Sequence, residues 1–179
     1  ENKGFDILIG NPPYIAFQRM DKDSKHSIQN LKYKTYENTG DVYSVFYERG
    51  SQLLKNKGTL CYITSRQWMH SSYGKSLRNF LVNEVDPILL IDFGQVRIFE
   101  GATVFVNILL YKKQENTKSL KACLLTSDYD VENTNLSEHF NSNNYILSNL
   151  TDSTWIVSDN NDINEKIEKI GTPLSKSSE

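Results

Sequence analysis

"FDILIGNPPYIAF", residues 5–17, decides how the rest of the chain is read. An apolar run from Phe5 to Ile9, interrupted only by Asp6, halts at Gly10. Asn11, Pro12, Pro13 and Tyr14 follow. A short apolar run closed by a turn signal reads as a fully buried strand. Two prolines hold their own φ at about −65° and stiffen the backbone that leaves that strand. The strand's carboxyl end therefore carries a polar amide, a rigid carbonyl and an aromatic ring.

That combination suits one chemical task. An amine conjugated to an aromatic ring delocalises its lone pair and is a poor nucleophile. Two acceptors aimed at its two N–H groups favour the pyramidal form and the positive charge that develops on attack. The Asn11 side-chain carbonyl is one acceptor. The Pro12 carbonyl, held in direction by Pro12 and Pro13, is a second. Tyr14 adds a face on which a planar base can stack, worth ~1–3 kcal/mol. Each piece has a plainer use: prolines stop strands, asparagines make turns, tyrosines fill cores. The ordered set is what carries specificity.

The chain has 179 residues, room for one domain with a sizeable core. With 38% hydrophobic and 23% charged residues it fits a globular protein better than a disordered or membrane one. No apolar run approaches the roughly 20 residues of a membrane span, and no signal-peptide pattern opens the sequence. Cys61 and Cys123 lie in apolar, strand-like runs and read as buried thiols in a reducing compartment. The three histidines are scattered and zinc-ligand spacing is absent, so no metal site is expected. A net charge of −2 argues against a dedicated nucleic-acid clamp. Its distribution is uneven, however. Residues 18–36 hold Arg19, Lys22, Lys25, Lys32 and Lys34 against only Asp21 and Asp23. That segment can meet phosphates or serve as a solvated loop.

Further along, residues 15–39 lack a clean period and read as a long loop. A helix is expected from Gly40–Asp41 to Lys57–Gly58, with Asp41 as its cap and Val42, Val45, Phe46, Leu53 and Leu54 on one face. Strands are expected at 59–64, 88–93, 103–113 and 119–126, and a helix after Ser71 or Ser72 with Tyr73, Leu77, Phe80 and Leu81 aligned. Strand–helix alternation implies a parallel α/β sheet, with the last two strands as an antiparallel pair at its edge. In such sheets ligands sit at the carboxyl ends of strands, where residues 11–14 lie. From about residue 127 the composition turns polar and reads as a linker, with islands at 145–148 and 154–157 and a short helix at 162–171.

These stretches carry a resemblance. "FDILIGNPPYI" resembles the catalytic motif of amino-methyltransferases that use S-adenosylmethionine. Residues 40–81 and "LIDFGQVRIFEGATVFVNILLYKK" (90–113) resemble the following segments of adenine-N6 DNA methyltransferases of the type IIG and related restriction–modification kind. "NEKIEKIGTPLSK" (164–176) is similar to the opening of their target-recognition domain.

The resemblance implies a partial Rossmann-like class I methyltransferase sheet over residues 1–126, then a linker and the start of a target-recognition domain over 127–179. It implies that Asn11 and the Pro12 carbonyl bind the adenine amine, that Pro13 braces them, and that Tyr14 stacks on the base. Phe99 becomes the second stacking residue, with Phe105 as the fallback. Phe46 would touch the cofactor, and Lys22, Lys25, Lys32 and Lys34 would meet DNA phosphates. Ser65 stands where the family commonly has proline. The implied partner is double-stranded DNA in a bacterial cytoplasm, the implied cofactor S-adenosylmethionine.

The family's glycine-rich cofactor turn does not occur here, so the N-terminal cofactor half is expected upstream and the isolated chain is expected to be inactive. Rival readings are a related enzyme acting on a protein glutamine or an RNA guanine, or a non-catalytic DNA-binding or scaffold module.

Overall fold

Phe5, Ile7 and Ile9 are 54%, 64% and 79% exposed, although they stand on a well-formed strand, β1 (Phe5–Gly10). The strand reads as buried in the sequence but lies at the edge of its sheet. Its three large apolar side chains share one face, and no described residue covers them; Leu8, on the other face, packs on the core. This is a computed structural model, and it describes residues 4–99 and 104–158.

Five further strands complete the sheet among the described residues: β2 (Leu54–Ser65), β3 (Asp86–Asp92), β4 (Val106–Lys112), β5 (Leu120–Leu124) and β6 (Tyr145–Leu147). Their spatial order is β1-β2-β4-β3-β5-β6. β1 runs parallel to β2, and β3 parallel to β5. β4 lies between β2 and β3, antiparallel to both, with Ile63 and Ile91 both opposite Ile108. The α/β class holds, but the expected antiparallel pairing of the last two long strands does not. β4 takes an interior place because it is buried on both faces, Leu109 and Tyr111 against the helices and Val106 in a second core on the other side. β6 forms the antiparallel edge instead.

Helices α2 (Tyr43–Leu53) and α3 (Lys75–Asn83) cover one face of the sheet. Tyr43, Tyr47, Leu77, Phe80 and Leu81 meet Leu60, Leu90, Leu109 and Tyr111 there. On the other face α4 (Leu136–Asn143) brings Phe140 against Ile91, Val106 and Cys123. α2 is shorter than expected because Leu54 already belongs to β2, and Phe46 and Leu53 are exposed rather than part of its buried face. Asp41 does not cap it either. Its carboxylate accepts from the Tyr73 hydroxyl at 3.3 Å, and Val42 is the N-cap without a side-chain bond.

The stretch expected as a loop contains helix α1 (Lys22–Asn30), capped by the Asp21 carboxylate, which accepts from the Ser24 amide at 2.8 Å. Its weak period hides what anchors it. Phe17 is fully buried with Val42 and Val45 beneath Tyr33 and Tyr36, and buried Glu48 accepts from both the amide and the hydroxyl of Thr35. These are contacts between distant residues, invisible to local periodicity.

Residues 127–158 are not a bare polar linker. Trp155 is 1% exposed and shares the main core with Trp68. Its amide donates to the Met69 carbonyl at 2.9 Å, and the guanidinium of buried Arg78 donates to the carbonyls of Asp152, Trp68 and Ser71. A single large aromatic supplies enough apolar area to dock a polar segment. The expected helix at 162–171 and the stretch 164–176 lie outside the described residues.

Candidate active site

β1 ends where the chain must pass very close to β2. A Cβ at Gly10 would sit 3.2 Å from the Tyr62 ring, tighter than side-chain contacts normally allow, so glycine lets the strand tip lie on that ring. Asn11 is exposed, Pro12 buried and Pro13 exposed. Among the described residues, the Asn11 carboxamide has no hydrogen-bond partner and no backbone amide engages the Pro12 carbonyl. Two acceptors at the carboxyl end of a strand are thus without a partner among the described residues. Tyr14 is anchored at its far end: its hydroxyl donates to the Ile63 carbonyl at 3.1 Å, and its ring meets Tyr43 edge-on at 6.2 Å. Burial pushes the phenol up to about 12, so it remains a donor at neutral pH.

Beside Tyr14 opens a cleft of about 770 Å³. Arg19, Arg66, His70, Tyr73 and Phe105 line it together with Tyr14. It lies at the carboxyl ends of β1 and β2, the position expected for a ligand in an open α/β sheet. Its wall begins at Tyr14. Asn11, Pro12 and Pro13 precede that residue in the turn without lining the cleft, and Phe99 does not line it either. Of the two expected aromatics, both 37% exposed, Phe105 lines the cleft and Phe99 does not.

The floor is built by the turn after β2. Ser65 takes φ −55°, within the range proline imposes, and its hydroxyl accepts from the Gln67 amide at 3.3 Å. The serine therefore forms the same kind of turn that proline would. The 3₁₀ turn Arg66–Met69 then places Arg66 beside Asp92 at the end of β3. Arg66 Nη2 is 2.8 Å from Asp92 Oδ2, close but not aligned as a hydrogen bond. Arg66 also donates to the Gly94 carbonyl at 3.1 Å and lies 3.1 Å from His70 Nε2. Burial raises the Asp92 carboxyl above its ordinary range, opposed by the Gly94 amide and Arg66. Burial, then Arg66 and Arg78, holds His70 below its usual value, which keeps the ring an acceptor for Arg66. Arg66 and His70 escaped the sequence reading. An arginine and a histidine four residues apart just after a strand were the available signal.

Behind the floor runs a buried polar chain. The Tyr47 hydroxyl is 2.9 Å from Thr64 Oγ1. With the Asn107 amide oriented to satisfy both neighbours, its nitrogen donates to Thr64 Oγ1 at 3.0 Å and its oxygen accepts from the Trp68 indole at 3.1 Å. This chain ties β2, β4 and the Arg66–Met69 turn into one rigid unit.

The remaining candidates lie away from the cleft lining. Phe46 is 40% exposed on α2, between buried Val45 and Tyr47, so its ring is available to a ligand rather than to the core. Lys22 and Lys32 are exposed and Lys25 half-buried, while Lys34 pairs with Glu84 at 2.6 Å and is not a free cation. Among the described residues no group of three His, Cys, Asp or Glu side chains is arranged to hold a metal, and no helix is long and apolar enough to cross a membrane.

Comparison with known proteins fits this geometry. The sequence profile of the Eco57I restriction-modification methylase family matches residues 1–99. The type II restriction enzyme and methyltransferase RM.Eco57I of Escherichia coli is 32% identical over 188 residues, a match covering 98% of this chain. The chain spans 18% of that relative's length. Among solved structures, the methyltransferase subunit of a type I restriction-modification system from Streptococcus thermophilus superposes with a TM-score of 0.63 at 15% identity, over 83% of this chain and 35% of that one. A structure from Listeria monocytogenes assigned to the class I S-adenosylmethionine-dependent methyltransferases gives 0.55 at 17% identity, over 72% and 39%. The fold is that of the class I S-adenosylmethionine-dependent methyltransferases. With its profile matched over residues 1–99 and a relative 32% identical across nearly its whole length, this chain belongs to the Eco57I restriction-modification methylase family.

Proposed function

We propose that this chain is the base-binding part of a restriction–modification DNA methyltransferase that methylates the N6 amine of adenine. One observation carries the reading. Two acceptors unengaged among the described residues, the Asn11 carboxamide and the Pro12 carbonyl, stand at a strand's carboxyl end immediately before an aromatic ring that lines a cleft.

The chemistry follows from those groups. A target adenine leaves the duplex, at a cost of a few kcal/mol in unstacking. Its ring stacks on Tyr14, with Phe105 as a second wall. Asn11 Oδ1 and the Pro12 carbonyl accept from the two N–H groups of the amine, polarising it and fixing its direction. The chain orients and polarises; catalysis is positioning plus electrostatic complementarity, with no covalent enzyme intermediate. S-adenosylmethionine supplies the electrophilic methyl group when bound. Exposed Phe46 is the residue of this chain offered to that cofactor. The bare apolar face of Phe5, Ile7 and Ile9 is covered, in this reading, by a cofactor-binding half belonging to the same protein. A target-recognition domain and duplex DNA complete the active assembly, with Lys22, Lys25 and Lys32 meeting backbone phosphates.

The test is to incubate the full-length protein with radiolabelled S-adenosylmethionine and, in parallel, plasmid DNA, RNA or a release-factor-like protein, then hydrolyse each product and identify the labelled nucleoside or amino acid. N6-methyladenine is the expected product. Label found only in a protein glutamine or in RNA guanine would replace this reading by a relative acting on that amine, and no label transfer would leave a binding module.

A further inference from the structure

The β3-to-β4 connection leaves β3 through Phe93–Gly94 and returns through Val104–Phe105, and Arg66 meets the first stem with its side chain and the second with its main chain. The Arg66 amide donates to the Phe105 carbonyl at 3.0 Å. Its side chain donates to the Gly94 carbonyl at 3.1 Å and pairs with Asp92, two residues before Gly94. Asp92 is completely buried, and its second oxygen accepts from the Gly94 amide at 2.9 Å. Gly94 has φ +55°, a left-handed conformation that commits the chain to a sharp exit from the strand. His70 supports the outer side of the guanidinium. Arg66 itself is 23% exposed and lines the cleft. A buried carboxylate does not need so elaborate a partner for stability alone, since apolar residues fill such space as well. The planar fork is suited to fixing the geometry of two separate carbonyl and carboxylate groups.

We propose that Arg66 is a positioning residue for base binding: its side chain fixes the β3 stem at Asp92 and Gly94, to which the β4 stem is bonded, and so sets the aromatic wall that Phe105 contributes to the cleft. The proposal rests on the adenine-methyltransferase reading above. It assigns to Arg66 no contact with the reacting atoms. Its effect passes from Asp92 and Gly94 through Phe93, whose amide donates to the Val106 carbonyl at 3.1 Å, to neighbouring Phe105 and the base, so it acts on how the extruded ring is held.

The experiment uses the full-length protein after its methylated position has been mapped by sequencing plasmid DNA. Four forms are compared: wild type, Arg66→Lys, Arg66→Met/Asp92→Asn and Asn11→Ala. The double variant removes the ion pair without leaving a buried charge, and Arg66→Lys keeps a cation beside Asp92 but loses the fork. Each is assayed for kcat and KM, for S-adenosylmethionine affinity by calorimetry, for melting temperature, and for the fluorescence rise of duplex carrying 2-aminopurine at the target adenine. Arg66→Lys and the double variant are expected to lose roughly 10- to 100-fold in kcat and most of the 2-aminopurine response, with cofactor affinity unchanged. A merely structural role would lower melting temperature and every activity together, and would be relieved in whichever variant melts like wild type. Wild-type kcat and fluorescence in either Arg66 variant, or an equal loss of cofactor affinity in both, overturns the proposal. Retained methylation by Asn11→Ala would instead overturn the underlying reading, so the two failures are distinguishable.

Discussion

Trp155 meets Trp68 edge-on, with ring centroids 5.2 Å apart and an interplanar angle of 71°. Trp68 belongs to the Arg66–Met69 turn that floors the cleft, and its indole bonds to Asn107 on β4. A polar segment far along the chain therefore supports the cleft from behind. Trp155→Ala should cost ~3–5 kcal/mol of stability, the usual loss for emptying a buried aromatic site. Trp155→Phe should recover a large part of it. Urea unfolding followed by circular dichroism measures both, and a loss below about 1 kcal/mol for alanine would show that the segment merely rests on the surface.

Tyr14 separates two roles in one side chain. Its hydroxyl ties the ring to the Ile63 carbonyl, and its face lines the cleft. Tyr14→Phe keeps the face and should retain most methylation. Tyr14→Ala removes the face and should weaken the bound base by ~1–3 kcal/mol, read as a fall in kcat/KM. Because the phenol is pushed up to about 12, no change in rate from its ionisation is expected between about pH 6 and 9.

His70 gives a stability effect with a definite sign. Its folded value lies below 6.5 because burial, Arg66 and Arg78 all oppose the charged ring. As pH falls through the ordinary histidine range, the unfolded chain takes up this proton before the folded one does. Folding stability then declines, and the decline levels off once the folded value is passed. Asp92 works in the opposite direction, since its raised carboxyl takes up a proton first in the folded state. Comparing melting temperatures of wild type and His70→Gln between about pH 7.5 and 5.5 isolates the histidine. The variant should lose less stability on acidification; parallel curves would remove His70 from the balance.

The basic segment makes a graded prediction. Lys22 and Lys32 are exposed and Lys25 is half-buried, whereas Lys34 is engaged by Glu84. Charge reversal at Lys22, Lys25 and Lys32 in the full-length protein should weaken DNA binding and lower the salt slope by ~0.9 for each phosphate that is no longer neutralised. Lys34→Glu should lower it less. Equal slopes in all variants would mark the segment as a solvated face.

Much of the sheet was legible because its strands are short apolar runs with clear stops, and the Asn11–Tyr14 turn because prolines and glycine leave few conformations. What escaped was set by contacts between distant residues. The order of the strands was not written in any one of them: β4 lies between β2 and β3 through pairings such as Tyr62 with Leu109 and Leu90 with Leu109. α1 depends on Phe17 and on Glu48 holding Thr35, and the segment after residue 127 on one tryptophan. β1 looked buried because apolar residues normally are, and its exposed face could not be read from composition. The sequence favours Phe99 with Phe105 as fallback, and only the fold puts Phe105 at the cleft.

The polarising role of the strand-tip acceptors is tested most directly by Asn11→Ala in the full-length protein, assayed for methyl transfer and for DNA binding on the same preparation. Methylation should fall by several orders of magnitude while DNA affinity and melting temperature stay near wild type. Methylation at the wild-type rate would contradict the central claim that the Asn11 carboxamide, with the Pro12 carbonyl, makes the amine reactive.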